Sequence, residues 1–162
     1  MLKLDDRDIQ ILSILQREGR ITKTALAARV NLSPTPCWER LKRLEQAGII
    51  EGYGAIISSK ILGNHTTVFM QAELKSHQAH DFDCFERAVQ SMDEIIECWA
   101  VGGGFDYLIK IVTSNIDAYQ RFVDSILKAD IGLKRYYTYI VTKHIKKSSL
   151  PLHLTSPSDQ TG

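Results

Sequence analysis

The sequence predicts an α+β protein in which a three-helix unit precedes a ferredoxin-like βαββαβ unit. Residues 21–50 contain a short helix, a tight turn and a longer basic helix, which is the pattern of a helix-turn-helix. From Thr66 onward the apolar spacing changes, and strands and helices follow in the order β-α-β-β-α-β. The chain has 162 residues, which is enough for two small domains.

Capping residues define the three N-terminal helices. Asp5 or Asp6 can cap the first helix, whose apolar residues recur at helical spacing. Thr22 can cap the second helix, and Asn31 suits the left-handed conformation of a sharp turn between helices. Ser33 can cap the third helix, since its hydroxyl can accept from a free N–H of the first turn. The proline that follows it would take the first helical position, where a missing N–H costs nothing.

Alternating apolar residues define the second unit. After a short extended segment at residues 52–57, strands are predicted over 67–74, 95–101, 107–112 and 133–145, and helices over 81–91 and from Asn115 or Asp117 onward. We therefore expect a DNA-binding domain at 1–57, a hinge at 58–65, a ferredoxin-like domain at 66–147 and a flexible, Ser- and Pro-containing tail at 148–162.

The composition narrows the class of protein. The net charge is +1, yet residues 1–65 hold ten Lys and Arg against seven Asp and Glu, so the N-terminal part is the one suited to phosphates. No apolar run approaches the ~20 residues of a membrane span, and the acidic N-terminus is unlike a signal peptide. Three scattered cysteines fit a reducing cytoplasm rather than a disulfide framework.

The third helix is the candidate DNA-binding element, because the second helix of a helix-turn-helix lies in the major groove. Its N-terminus favours phosphate, and its basic side chains can contact phosphates and base edges. Cys37 and Trp38 are expected in the core. The alternative is a three-helix bundle with a solvated basic face. The candidate DNA-binding residues are Ser33, Thr35, Glu39, Arg40, Lys42 and Arg43.

A glycine-rich turn joins the second and third predicted strands. Its glycines permit positive φ and close approach of the backbone to a ligand. Exposed N–H groups could bind a carboxylate and Asp106 could accept from an ammonium group, which together suit an amino acid. The alternative is a flexible hairpin turn that Asp106 simply caps. The candidate residues in this turn are Gly102, Gly103, Gly104, Phe105 and Asp106.

The sequence offers no candidate for catalysis or for a bound metal. His77 and His80 lie three residues apart but lack a third ligand nearby. No nucleophile stands beside a plausible base. We therefore predict that the chain is not an enzyme and that it carries neither a metal ion nor a cofactor.

With these residues in hand, the chain resembles the Lrp/AsnC family of transcriptional regulators over about residues 2–147. The string from Leu32 to Cys37 is the most specific match. The other matching segments are Leu4-Asp5-x-x-Asp8, Gly19-Arg20-Ile21, Arg40-x-x-Arg43-Leu44-Glu45, Gly48-Ile49-Ile50-x-Gly52-Tyr53 and Gly103-x-Phe105-Asp106-Tyr107-Leu108.

The resemblance implies a winged helix-turn-helix joined to a ferredoxin-like effector and oligomerisation domain. In this family that second domain dimerises sheet against sheet, and dimers assemble into octamers or related forms. Amino acids or close derivatives bind between dimers, so Gly102–Asp106 would line the pocket, with Thr138 and Ile140 as its far wall. Leucine-responsive members have an acidic residue at the position of Gly104, which puts a leucine ligand in question.

These observations together predict a sequence-specific, DNA-binding transcriptional regulator that responds to an amino acid or derivative. Its expected partners are double-stranded DNA, further copies of itself and that small effector, with no membrane, in the cytoplasm at the nucleoid. The alternative is an effector-independent architectural DNA-binding protein. The mild charge of residues 1–65 argues against that alternative, because purely electrostatic binders are more basic.

Overall fold

The computed structural model describes residues 2–154 and divides the chain into two compact units, one of residues 1–56 with 146–162 and one of residues 57–145. The first unit contains α1 (Asp6–Leu15), α2 (Lys23–Arg29) and α3 (Pro34–Gln46). The second contains β1 (Thr66–Leu74), α4 (Ala79–Gln90), β2 (Ile95–Ala100), β3 (Tyr107–Thr113), α5 (Ile116–Lys128) and β4 (Leu133–Ile140). Short 3-10 helices lie at Ser59–Leu62 and Leu152–Leu154.

The first helix begins at a reciprocal cap. The Asp5 carboxylate accepts from the Asp8 N–H at 2.9 Å, and the Asp5 N–H donates to the Asp8 carboxylate at 3.1 Å, so two N–H groups at the helix start are satisfied. Thr22 caps α2 in the predicted way, and Asn31 has φ 53° in the turn before α3. Ser33 occupies the N-cap position of α3, but its side chain makes no capping hydrogen bond.

The core of the first unit packs apolar residues from all three helices. Leu152 also packs against this core, and the Leu150 N–H donates to Gln16 Oε1 at 2.8 Å. This part of the predicted flexible tail is therefore held against the first unit by that hydrogen bond and by the apolar surface that Leu152 buries, whereas Leu150 and Leu154 stay exposed. Residues 155–162 lie outside the described part. The buried core residues are Ile11, Leu12, Leu26, Ala27, Val30, Cys37, Leu41 and Leu44.

The segment that follows α3, predicted to be extended over residues 52–57, is not part of a sheet, because no strand is assigned between α3 and β1 within the described chain. The predicted hinge at 58–65 contains a 3-10 turn, Ser59–Leu62, whose N-cap Ser58 accepts from the Lys60 N–H. No helix among residues 2–154 has both the length and the apolar character needed to cross a bilayer.

The second unit is an antiparallel sheet with strand order β2-β3-β1-β4, which is the predicted ferredoxin-like arrangement. β4 ends at Ile140, although the alternating pattern predicted a strand to residue 145. The physical reason is the register. Ile140 pairs with Val68, and the Val141 N–H donates to the Thr67 carbonyl. Because β1 starts at Thr66, it has almost no residues left with which β4 could pair beyond this point.

The two faces of the sheet differ in what covers them. One face is buried under α4 and α5, and its residues on β1 and β3 alternate strictly with residues of the other face. The second face, which we call the open sheet face, carries large apolar side chains that no helix of the described residues covers. Because paired residues share a face, the register places Phe69, Trp99, Leu108, Val112, Tyr137 and Tyr139 on it.

Candidate DNA-binding helix and effector turn

The outward side of α3 presents exposed side chains that make no hydrogen bond or ion pair with the described part of the chain. Thr35, Glu39 and Lys42 are exposed, and none of their side chains has a partner within residues 2–154. Ser33 is exposed as well. Of the first three helical residues only Thr35 has a backbone N–H, because the other two are prolines. A phosphate at this helix start would therefore meet fewer amide donors than the sequence pattern suggested.

Arg40 and Arg43, two of the predicted DNA contacts, form ion pairs with acidic residues of the same unit. Arg40 Nη1 lies 2.6 Å from the Asp5 carboxylate and 2.9 Å from Asp8 Oδ1, and Arg43 Nη2 lies 2.6 Å from Asp8 Oδ2. Asp8 is completely buried, whereas the Arg43 side chain is 44% exposed. Arg43 can therefore reach a phosphate only while part of its charge is already neutralised.

The electrostatics of this cluster tie α1 to α3. Hydrogen bonds from the Arg40 guanidinium to Asp5 and Asp8 raise the pKa of Arg40. The hydrogen bond from the Asp8 backbone N–H, followed by that from Arg40, lowers the pKa of Asp5 despite partial desolvation. An Asp one helical turn before Ile11 and Leu12 lies on the buried face of α1. That spacing was the available sequence signal for this cluster.

Trp38 is not in the core, contrary to the sequence-based expectation. It is 38% exposed, and Lys23 Nζ lies 3.1 Å from the centroid of its ring. The physical reason is helical spacing, because Cys37, Leu41 and Leu44 already fill the inward side of α3. Cys37 is buried as expected, and desolvation raises the pKa of its thiol, which disfavours the reactive thiolate.

In the second unit, Asp106 ties the glycine-rich turn to the end of β1. Its Oδ2 accepts from the Leu74 N–H at 2.8 Å, and its own N–H donates to the Ala72 carbonyl at 2.9 Å. His77 Nε2 lies 3.1 Å from Asp106 Oδ1. The Asp106 side chain is 19% exposed, and its carboxylate offers about four acceptor sites in all. It therefore keeps capacity for one further donor.

The three glycines before Asp106 leave their backbone open. The N–H groups of Gly102, Gly103 and Gly104 make no hydrogen bond within residues 2–154. A Cβ atom placed on any of the three would meet nothing within 4 Å, although Gly103 has φ 150°, which other residues rarely adopt. Phe105 is half-buried. The turn thus offers free amide donors beside a carboxylate.

Thr138 and Ile140 do not join this turn within one chain. Asp106 bonds to Ala72, whereas Ile140 pairs with Val68, four residues along β1 and roughly 13 Å away. Thr138 Oγ1 lies 2.6 Å from the Tyr119 hydroxyl oxygen. A pocket that used both the turn and these two residues would need a second copy of the chain.

Comparison with known proteins agrees with this architecture. A family model described as the Lrp/AsnC ligand binding domain matches residues 67–151, and a winged helix-turn-helix DNA-binding model matches residues 4–51. The chain belongs to the Lrp/AsnC family. It is therefore a transcriptional regulator with a helix-turn-helix DNA-binding domain and a ligand-binding domain. The expectation that it is not an enzyme is confirmed, because its relatives are regulators.

Individual relatives of this Lrp/AsnC regulator match over nearly the whole chain. The transcriptional regulatory protein DoeX of Halomonas elongata is 52% identical over 153 residues, covering 94% of this chain and 97% of DoeX. The leucine-responsive regulatory protein of Escherichia coli K12 is 40% identical over 146 residues, covering 90% and 89%. A Neisseria meningitidis regulator solved with L-Met has a TM-score of 0.86 at 36% identity, covering 93% and 99%.

Proposed function

We propose that this regulator senses an amino acid or a close derivative at the turn formed by Gly102–Asp106. This proposal rests on one observation. The backbone N–H groups of Gly102, Gly103 and Gly104 make no hydrogen bond within residues 2–154, and the partly exposed carboxylate of Asp106 lies two residues further along the same turn. Free amides in a turn form a concave anion site, which suits the α-carboxylate of a ligand. The remaining acceptor capacity of Asp106 suits its ammonium group.

The relatives support a ligand of this class. One neighbour was solved as a complex with L-Met, and other relatives are named as leucine-responsive. Gly104 has no side chain to restrict or charge the site, and a Cβ atom placed there would meet nothing within 4 Å. We therefore propose that the ligand is not leucine. Its side chain or substituent would occupy the space beside Gly104.

We propose further that the open sheet face mediates dimerisation, and that dimers associate into an octamer or a related assembly. Trp99 is 41% exposed, and Tyr137 and Tyr139 are each about half exposed. Such clustered aromatic surface is typical of protein interfaces. A second copy would also be needed to bring Thr138 and Ile140 to the effector turn. In this proposal the protein acts on the chromosome in the cytoplasm.

The proposed DNA contacts are Ser33, Thr35, Glu39 and Lys42, with Arg40 and Arg43 contributing charge that Asp5 and Asp8 partly neutralise. Two such helices in a dimer would read half-sites about one helical turn of DNA apart. A bound effector would act by favouring one assembly or one spacing of the DNA-binding units. It can do so only through different affinities for the two states.

The test is a thermal-shift screen of the purified full-length protein against amino acids and their common derivatives. A ligand at tenfold excess over its Kd stabilises the native state by ~1.4 kcal/mol, which gives a readable shift. We expect at least one hit whose shift is lost in Asp106→Ala, since the ligand's ammonium group would lose its acceptor. Asp117→Ala, which removes an exposed carboxylate of the same unit, is the matched control and should keep the shift.

A second measurement addresses regulation itself. Affinity for a DNA duplex selected by the protein from a random library is measured with and without the hit, together with the size of the assembly. We expect the ligand to change at least one of the two. No hit in the screen, or a hit that changes neither quantity, would refute the effector proposal and favour an effector-independent architectural role. The latter also predicts little preference between DNA sequences.

A further inference from the structure

The indole of Trp38 lies partly exposed, on a side of α3 that does not form the core of the first unit. It stands at the fifth residue of α3, which begins at Pro34. In a helix-turn-helix, the N-terminal residues of this helix contact base edges. Lys42, four residues on, lies on the same side of α3. Trp38 thus occupies the part of the helix that meets the major groove, rather than the part that meets the core.

Lys23 adds a second, independent observation. It is the first residue of α2, where the helix dipole disfavours a cation, and no acidic side chain within residues 2–154 pairs with it. Its ammonium group instead lies over the Trp38 ring, a contact that provides only ~0.5–1 kcal/mol at an exposed site. Lys23 and Lys42 are therefore two unpaired cations that flank one exposed ring, and this arrangement complements a polyanion.

We propose that Trp38 reads sequence by packing its indole against the C5-methyl group of a thymine in the major groove, while Lys23 contacts the adjacent phosphate. The thymine methyl is the one apolar group that base pairs present in the major groove. The first helix of the motif crosses the DNA backbone, which is where the start of α2 places Lys23. One ring face is occupied by Lys23, so the free part of the indole is what meets the base.

This role differs from that of a structural tryptophan in a measurable way. If Trp38 only stabilised the packing of α2 against α3, its loss would weaken binding to every DNA sequence alike. A methyl contact is confined to one base position in each half-site. It disappears when that thymine becomes uracil, a change that removes the methyl group and leaves the hydrogen-bonding edge intact.

The experiment replaces each thymine by uracil, one at a time, in a duplex that the full-length protein selects from a random library. For the wild-type protein we expect about fourfold weaker binding at one thymine per half-site, the effect of one buried methyl group. In Trp38→Ala that position should become insensitive to uracil, and Trp38→Phe should keep part of the effect. Leu127→Ala, which removes an exposed apolar side chain of α5 in the other unit, is the matched control and should behave as wild type.

Two results would overturn the proposal. One is a wild-type protein that is indifferent to uracil at every position, and the other is a Trp38→Ala protein that keeps the wild-type sensitivity. A measurement that leaves Trp38 in place guards against misfolded variants. In Trp99→Phe, Trp38 is the remaining tryptophan of the sequence, and its fluorescence should change when the selected duplex binds. Unchanged emission at saturating duplex would equally exclude the contact.

Discussion

Asp8 and Asp106 are carboxylates that each hold a functional surface in place, but their surroundings differ. Asp8 in the first unit is fully buried, and guanidinium groups of Arg40 and Arg43 contact both of its oxygens. Asp106 in the second unit keeps 19% of its side chain exposed, and its partners are the Leu74 N–H and the His77 imidazole. The charge of Asp8 is balanced by two arginines of the same chain, whereas Asp106 remains partly exposed to solvent.

The difference teaches that a residue type alone does not reveal whether a charge supports the fold or receives a ligand. Burying a charge is costly unless ionic partners and hydrogen bonds compensate it. Asp8 satisfies that condition and has nothing left to offer a ligand. Asp106 is held by two partners and keeps an acceptor site. Four experiments can break or sharpen this distinction.

The largest effect is expected from Asp8→Ala. The change leaves Arg40, whose side chain is only 28% exposed, without its buried partner. Removing one member of a buried pair costs ~3–5 kcal/mol, and the half-exposed Arg43 places this case near the lower value. Urea unfolding measures the loss. Asp6→Ala, at an exposed position of the same helix, should cost less than ~1 kcal/mol. Equal losses for the two variants would contradict the distinction.

Asp106→Ala should cost less stability but abolish ligand sensing. It leaves the Leu74 N–H, a part-buried donor, without its acceptor, at a cost of ~1–3 kcal/mol. Asp106→Asn keeps an acceptor oxygen for that N–H, so it should be more stable than the alanine variant. Both variants should lose the thermal shift given by the amino acid that stabilises the wild-type protein. Retention of that shift in both would show that the carboxylate does not bind the ligand.

A smaller effect distinguishes the free cation from the paired one on α3. Lys42 has no partner within the described residues, whereas Arg43 is paired with Asp8. Lys42→Ala should lower the slope of log K against log salt by ~0.9, the value for one phosphate contact. Arg43→Ala should lower it by less than half as much. Titrations of the selected duplex at several salt concentrations decide this, and a larger change for Arg43 would reverse the assignment.

The smallest effect concerns the pH dependence of stability at Asp5. Its pKa is lowered in the folded state from the ordinary 3.8, so its stabilising contribution is complete above that value. The contribution is lost as the pH falls through the lower folded pKa. Asp5 is 52% exposed, so the effect should stay below ~1 kcal/mol. Asp5→Asn retains a capping side chain, and its difference from wild type should be present at pH 7 and vanish near pH 2.

The order of helices and strands could be predicted from the sequence because each one carries its own periodicity and caps. Asp5, Thr22 and Asn31 act locally, and the structure uses all three as expected. The exposure of Trp38 could not be predicted, since it depends on which residues of α3 fill the core. The end of β4 was missed for a related reason, because it is set by where the partner strand begins.

The sequence predicted where the candidate site residues lie along the chain, but not which other residues they contact. The sequence located the turn at Gly102–Asp106, but not that Asp106 already accepts from Leu74 on another strand. Likewise it marked Arg40 and Arg43 as basic residues of α3 without revealing that α1 supplies their acidic partners. Such pairings join residues more than 30 positions apart, and no local pattern encodes them.

The open backbone at the glycine turn has a consequence for how such a regulator can change over generations. Gly102 and Gly104 lie outside the left-handed φ range, and a Cβ atom added at either would meet nothing within 4 Å, so we expect the sheet to tolerate small side chains there. The anchors of the turn, Asp106 and the end of β1, stay in place regardless. Mutations at these two positions can therefore change which ligand the protein binds, while the fold and the DNA-binding helix stay the same.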